Sequence, residues 1–339
     1  MVKTIILFND GTGQNLDSES PSNVLQLYQA LPGEKRILLH SDSYKVDETL
    51  NYHSVYIRGV GTDSLVAKEP EQDDRTWREK FGDFISGKIS TTKEYITGKS
   101  IQDRIDRTLK CLESLWSPGD IVIAIGFSRG AASLRLAMDY QGRNVVGFQT
   151  EYLLVFDTVY SVLGEVKIGN ETVGPRFQNF DIDASIKYCD HIIAGDEMRS
   201  MFPLTPVNPR ENVRQILFAG AHSDVGGGNP SQSLSDISLL FSINALKANG
   251  IQLDEQSISN LQLQPDPTAK ITFDRFNGTG QKHYPRDLAA VTFLIHNSVF
   301  IRANAKESVS IALAQLSTFT TTSKEELVTV NTVDSSFDY

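Results

Sequence analysis

The chain has almost no cysteine. Cys111 and Cys189 are the only two in 339 residues, too few for a disulfide scaffold. The fold is therefore expected to rest on core packing alone, as in cytosolic proteins. Long apolar runs are missing as well. The longest cover residues 121–125 and 152–156, far short of the about 20 residues that cross a bilayer. Behind Lys3, the apolar residues 5–8 give way to Asn9-Asp10, too short a stretch for a signal peptide. The chain is expected to be cytoplasmic as synthesised, with any passage into a target cell by a signal-peptide-independent route. Basic residues are in deficit: Lys plus Arg number 32 against 42 Asp plus Glu, a net charge of −10. That excludes nucleic acid as a partner, because phosphate binding needs a cationic footprint. It also excludes adsorption to anionic lipid through charge alone. The 6 histidines are scattered, with no H-E-x-x-H and no paired C-x-x-C, so no metal is expected. Gly11-Thr12-Gly13 has too few glycines for a dinucleotide fingerprint, G-K-[ST] is absent, and Gly226-Gly227-Gly228 lacks a phosphate-binding context. No cofactor is expected.

What is present is a globular composition, 40% hydrophobic and 22% charged, enough to build a packed core. The length suits one large α/β domain or two ordinary ones. Short β-rich runs alternate with helical periodicity. Strands are expected at residues 4–8, 36–40, 54–58, 121–125, 152–156 and 215–219, and helices at 22–31, 101–115, 128–139 and 234–245. Ile101, Ile105, Leu109, Leu112 and Leu115 recur at steps of three and four until Ser117-Pro118-Gly119 ends the helix. Residues of about 62–100 are polar and are expected to form a cap over the sheet; those from about 317 onward form an irregular tail. The alternation implies an α/β-hydrolase-like fold, a mostly parallel sheet with helices on both faces and cap insertions. Asp10, Ser128, Asp157 and His222 each follow a strand, and ligands bind at the carboxyl ends of such strands.

Gly126-Phe127-Ser128-Arg129-Gly130 is a G-x-S-x-G string between a β-branched strand and a helix, the context of a strained nucleophile elbow. Without that context it would be an ordinary strand-to-helix turn. A serine hydroxyl needs a base. His222 lies in Gly220-Ala221-His222-Ser223-Asp224-Val225-Gly226-Gly227-Gly228, behind an apolar strand, and is expected on a loop near Ser128. A carboxylate must hold the imidazole. Asp157 follows residues 152–156 and completes the order Ser, Asp, His. Asp224, two residues from His222, is the competitor, and Asp157 has the alternative of a helix N-cap. The oxyanion is expected to meet the Arg129 amide and a donor from Asp10-Gly11-Thr12, with Phe127 lining the site.

These strings resemble a known family. Gly126-Phe127-Ser128-Arg129-Gly130-Ala131 is similar to the elbow of the type VI secretion lipase effectors and their bacterial and fungal relatives. Phe8-Asn9-Asp10-Gly11-Thr12 resembles the family's opening F-x-D-G-T. Tyr56-Ile57-Arg58-Gly59-Val60-Gly61-Thr62, Phe156-Asp157-Thr158-Val159 and the His222 string resemble later motifs. So do Ser235-Asp236-Ile237-Ser238-Leu239 and Ile295-His296-Asn297-Ser298-Val299. The matches run in the family's order from about residue 5 to about residue 302. The resemblance implies an α/β-hydrolase fold, a Ser128, Asp157, His222 triad and phospholipase A-type ester hydrolysis through an acyl-enzyme. It implies a phospholipid or other acyl ester as substrate, transient membrane contact, and a secretion-machinery or immunity protein as partner. The longer effectors carry an added membrane-anchoring region, which this chain is expected not to hold. A soluble carboxylesterase or thioesterase is the alternative enzyme, and a non-catalytic binding module the alternative outside enzymes. Because the motifs span Asp10 to His222, a single domain over 1–339 is expected.

Overall fold

The structure, a computed structural model, describes residues 2–37, 42–60, 62, 98–160, 165–174, 181–200, 202–272, 286, 288, 291, 293–304 and 327–329. The strands are β1 Thr4–Asn9, β2 Glu34–Ile37, β3 Ser43–Asp47, β4 Tyr52–Ile57, β5 Ile121–Phe127, β6 Thr150–Phe156, β7 Val166–Ile168, β8 Glu171–Val173, β9 Ile186–Ala194, β10 Val213–Phe218, β11 Leu294–His296 and β12 Leu327–Thr329. The helices are α1 Asn23–Gln29, α2 Gly98–Leu115, α3 Ser128–Asn144, α4 His222–Gly226, α5 Ser235–Ala248, α6 Glu255–Asn260 and α7 Asn297–Asn304. Ten strands form one sheet in the order β12-β11-β10-β9-β6-β5-β1-β4-β3-β2. From β11 to β4 in that order every pairing is parallel. Within this sheet the pairings β4–β3, β3–β2 and β11–β12, at the two edges, are antiparallel. This is an α/β-hydrolase-like architecture.

The core follows from the pleat. Successive strand residues point to opposite faces, so each central strand feeds two apolar layers. Ile5, Leu7, Val122, Ala124, Leu153 and Val155 join one cluster with Ile105 and Leu112 of α2 and Leu134 and Met138 of α3. Ile6, Phe8, Ile123, Ile125, Leu154 and Phe156 join the other, with Val24 and Tyr28 of α1 and Leu239 and Ile243 of α5. Strands buried on both faces read as continuous apolar runs, which is why β1, β5 and β6 stand out in the sequence. Cys111 and Cys189 are buried and unbridged. Among the described residues, no helix is long and apolar enough to cross a membrane.

Several expectations change. The short strands β3, β7, β8 and β11 were not anticipated. Neither was β9, which lies between β6 and β10. Lys187, Asp190 and His191 mask its period. The polar groups of Asp190 and His191 are satisfied inside the sheet: Tyr152 Oη donates to Asp190 at 2.7 Å, and His191 Nε2 accepts the Thr158 amide at 3.1 Å. The tail expected to be irregular contains β12, whose backbone covers the otherwise open edge of β11. The rest of that tail, the cap at residues 63–97 and residues 38–40 of an expected strand lie outside the described residues. Finally, His222 opens the short helix α4 and does not sit on a loop. The sequence around it, with Gly220 at φ 119 before and Gly227 at φ 79 after, limits that helix to little more than one turn.

Candidate active site

The candidate residues meet along the carboxyl edge of the sheet. β1 sits between β4 and β5, so the chain leaves β1 toward one side and later returns on the other. The crevice at such a reversal is where ligands bind in open α/β sheets. Ser128 stands at the β5–α3 junction with φ 57, a left-handed conformation that costs a non-glycine residue of order 1–3 kcal/mol. The flanking glycines explain how the turn fits. A Cβ on Gly130 would lie 2.3 Å from the carbonyl oxygens of Asn9 and Asp10, and one on Gly126 would lie 2.8 Å from Ala131 Cα. Helix α3 thus starts pressed against the end of β1.

His222 Nε2 lies 2.8 Å from Ser128 Oγ, and Nδ1 lies 2.5 Å from Asp157 Oδ2. A carboxylate only accepts, so Nδ1 carries the proton and Nε2 is left to accept from the serine hydroxyl. All three side chains are buried. The Phe127 ring packs 4.6 Å from the imidazole and the Phe202 ring 4.9 Å away on an edge. The His222 amide donates to Glu197 Oε2 at 3.1 Å. Burial pushes the imidazole below its ordinary value of 6.5, more than Asp157 raises it.

Asp157 follows β6 with φ 40. Burial would raise its carboxyl, but the Arg286 guanidinium and the His222 hydrogen bond overcome this and hold it well below the usual carboxylate range. Its Oδ1 accepts the Ala194 amide at 2.9 Å and Arg286 Nη1 at 2.6 Å, and its Oδ2 accepts Arg286 Nη2 at 2.8 Å. Asp224 is not brought to the imidazole. Its carboxylate accepts the Ala221 amide at 3.0 Å, the Thr272 amide at 2.9 Å and Asn229 Nδ2 at 3.1 Å. It braces the start of α4, and Asp157 is no helix N-cap.

The β1 loop departs from expectation. Asp10 was expected among substrate-binding positions. Instead its carboxylate accepts from Ser22 Oγ at 2.8 Å, Tyr56 Oη at 2.6 Å and the Gly11 amide at 2.6 Å. Burial pushes it up to about 6, against these three bonds. It pins the loop to α1 and β4. The Gly11 amide is therefore occupied, and the expected oxyanion role does not fit it. Thr12 does link to the elbow: Arg129 Nη1 donates to Thr12 Oγ1 at 2.8 Å.

Arg286, Glu197 and Phe202 were not anticipated. Neither of the first two lies in a recognisable motif, and only distance in the fold brings them to His222 and Asp157. His296 of the later string has other partners. It stacks 4.3 Å from the Phe218 ring and bonds Ser298 Oγ at 2.8 Å.

A mostly parallel sheet with serine, histidine and aspartate meeting at its carboxyl edge defines the α/β-hydrolase class of architecture. Within it, the chain belongs to the catalytic-domain family of the Tle1-like phospholipase effectors of the type VI secretion system, whose sequence model matches residues 3–142 and 138–245. No curated protein matches the chain. Among solved structures, an uncharacterized protein from Pseudomonas aeruginosa is similar at 18% identity, over 74% of this chain and 46% of that one, with a TM-score of 0.43. The Tle1 effector bound to the VgrG spike is similar at 17% identity, over 68% and 52%, with a TM-score of 0.37. The peroxisomal alpha-beta-hydrolase Lpx1 from Saccharomyces cerevisiae is similar at 12% identity, over 77% and 82%, with a TM-score of 0.34. The chain thus spans about half the length of the first two.

Proposed function

We propose that the protein is a serine ester hydrolase acting as a phospholipase A-type lipase. The observation that carries this is the hydrogen-bonded line from Ser128 Oγ through His222 to Asp157, in a chain of a phospholipase effector family. Ser128 attacks the acyl carbonyl while Nε2 of His222 takes its proton. The ester alcohol leaves with that proton, and His222 then activates water to release the acyl group. Asp157 keeps the imidazole in the required tautomer. The low proton affinity of His222 leaves it a free base at neutral pH. The Arg129 amide, next after the nucleophile, is one oxyanion donor. The second is assigned to the Thr12 amide, which has no hydrogen-bond partner among the described residues; each donor is worth about 3 kcal/mol of barrier.

The chain is read as one catalytic domain because a single sheet draws on strands from Thr4 to Thr329. With a net charge of −10, contact with a membrane must come from apolar surface. Family membership supports export by the type VI machinery into a target cell, and the proposed partners are a spike component, as VgrG is for the Tle1 effector, and an immunity protein.

The test is a liposome panel with wild type and Ser128→Ala, reading free fatty acid and lysolipid, alongside fluorophosphonate labelling. Wild type is expected to release both products and to label; Ser128→Ala does neither, with kcat down by about 10⁶. Failure of folded wild type to label sinks the hydrolase reading. Labelling with cleavage of short soluble esters, but no fatty acid from liposomes, replaces phospholipase with soluble esterase.

A further inference from the structure

The Asp157 carboxylate has more partners than the relay to Ser128 requires. Beyond His222 and the Ala194 amide, both its oxygens are gripped by Arg286, 129 residues away in sequence, at 2.6 and 2.8 Å. The same guanidinium donates from Nε and Nη2 to the Phe202 carbonyl at 3.0 and 2.7 Å. Nη1 also reaches the Ala194 carbonyl at 3.3 Å. Only 7% of the Arg286 side chain is exposed. One planar fork therefore ties together the carboxylate, the end of β9 and the residue whose ring walls His222. Such bidentate geometry fixes orientation as well as charge. Arg286 also lies outside the segments matched by the family.

We propose that Arg286 is a positioning residue of this site: it fixes the plane of the Asp157 carboxylate against His222 and offsets its charge, so that His222 stays a free base. The inference rests on the ester-hydrolase reading given above.

The charges around the imidazole give the reason. Asp157 faces Nδ1. Glu197 holds the His222 amide but is itself paired with Arg199 at 2.8 Å. Asp196 accepts the Gly220 amide at 2.7 Å, and Asp224 lies on the same short helix. Behind Asp157, burial pushes His191 down to about 3, so it adds no charge at neutral pH. Arg286 is thus the cation that faces Asp157 directly. Without it, the bare carboxylate would favour the imidazolium, which cannot accept the serine proton. Arg286 acts on His222 in the direction of lower proton affinity.

The test is an NMR titration of the His222 imidazole in the full chain, wild type against Arg286→Ala and Arg286→Lys. Wild-type His222 is expected to titrate below 6.5. Arg286→Ala is expected to move that titration upward, and Arg286→Lys to restore most of it. The acid limb of kcat/KM moves in parallel, and kcat falls about tenfold to hundredfold as the carboxylate loses its fixed plane. Equal titration in wild type and folded Arg286→Ala overturns the proposal. Should Arg286→Ala fail to fold, Arg286→Gln carries the same comparison, because it is neutral but keeps a donor. The titration needs no turnover. A wild type that shows the shift on substitution yet cleaves no ester sinks the hydrolase reading and supports the pairing. An active wild type whose titration ignores Arg286 sinks only the pairing.

Discussion

Ser128 and Asp157 each end a central strand, and both sit at positive φ, 57 and 40, yet the two are held differently. The elbow is held by sterics. Gly126 and Gly130 let helix α3 press against its own strand and the end of β1, and the contacts at the turn involve residues within a few positions of Ser128 or on the strand beside it. The carboxylate is held by electrostatics and by long-range hydrogen bonds, from His222 65 residues on and Arg286 129 residues on. A steric turn tolerates no added atom but is indifferent to charge. A buried ion pair tolerates small shifts in volume but not the loss of a partner. The two sides of the site should therefore fail in different ways.

Among substitutions that keep the nucleophile, the largest effect expected is on the electrostatic side. Asp157→Asn should lower kcat by roughly 10⁴, because the imidazole then loses its required tautomer, and should also lower the unfolding midpoint, because the buried Arg286 guanidinium loses its charge partner. The check is steady-state kinetics on a soluble ester together with thermal unfolding. On the steric side, Gly130→Val should cost about 3 kcal/mol of stability, since the new Cβ would meet two backbone carbonyl oxygens that cannot turn aside. Urea unfolding measures it, and a midpoint equal to wild type would show that the elbow relaxes freely.

A smaller and pH-dependent effect is expected at Asp10, whose backbone carbonyl meets the elbow at Gly130. The Asp10 carboxyl is pushed up by burial from 3.8 to about 6. The folded state therefore binds that proton more tightly than the unfolded chain. The stability cost of ionising Asp10 is present above about pH 6 and is relieved as pH falls toward 4. Wild type should gain on the order of 2–3 kcal/mol over Asp10→Asn between pH 7 and pH 4. Unfolding midpoints of both proteins across that range test it, and a constant difference would place Asp10 among ordinary carboxylates. Least affected should be Asp224→Asn. It loosens the start of α4 but touches no reacting group, so a change in kcat of no more than about threefold is expected. A loss as large as that of Asp157→Asn would overturn the comparison of the two aspartates.

How much of this was legible depended on whether the cause was local. The strands β1, β5 and β6 announced themselves because burial on both faces demands unbroken apolar runs. The elbow was legible because a strained turn needs glycine at fixed offsets from the serine. The strand β9 was not, since its Asp190 and His191 are satisfied by Tyr152, Arg214, Gln215 and the Thr158 amide, brought from β6, β10 and the loop after β6. Sequence order alone could rank Asp157 above Asp224 but could not decide between them. The bonds of Asp224 to Ala221, Thr272 and Asn229 show what occupies the competitor.

The sequence by itself determined the α/β alternation, the scarcity of disulfides and membrane spans, the net charge of −10 and the positions of the serine turn and its histidine. Each follows from composition or from contacts between near neighbours in the chain. Only the tertiary structure decided that the Gly11 amide is taken by Asp10, that Asp224 braces a turn, and that Arg286 grips Asp157. The last spans 129 residues, and the first two, though close in the chain, depend on which other groups the fold brings to the same buried carboxylates, Ser22 and Tyr56 at Asp10 and Thr272 at Asp224; in a low-dielectric space a partner's distance and direction decide its effect.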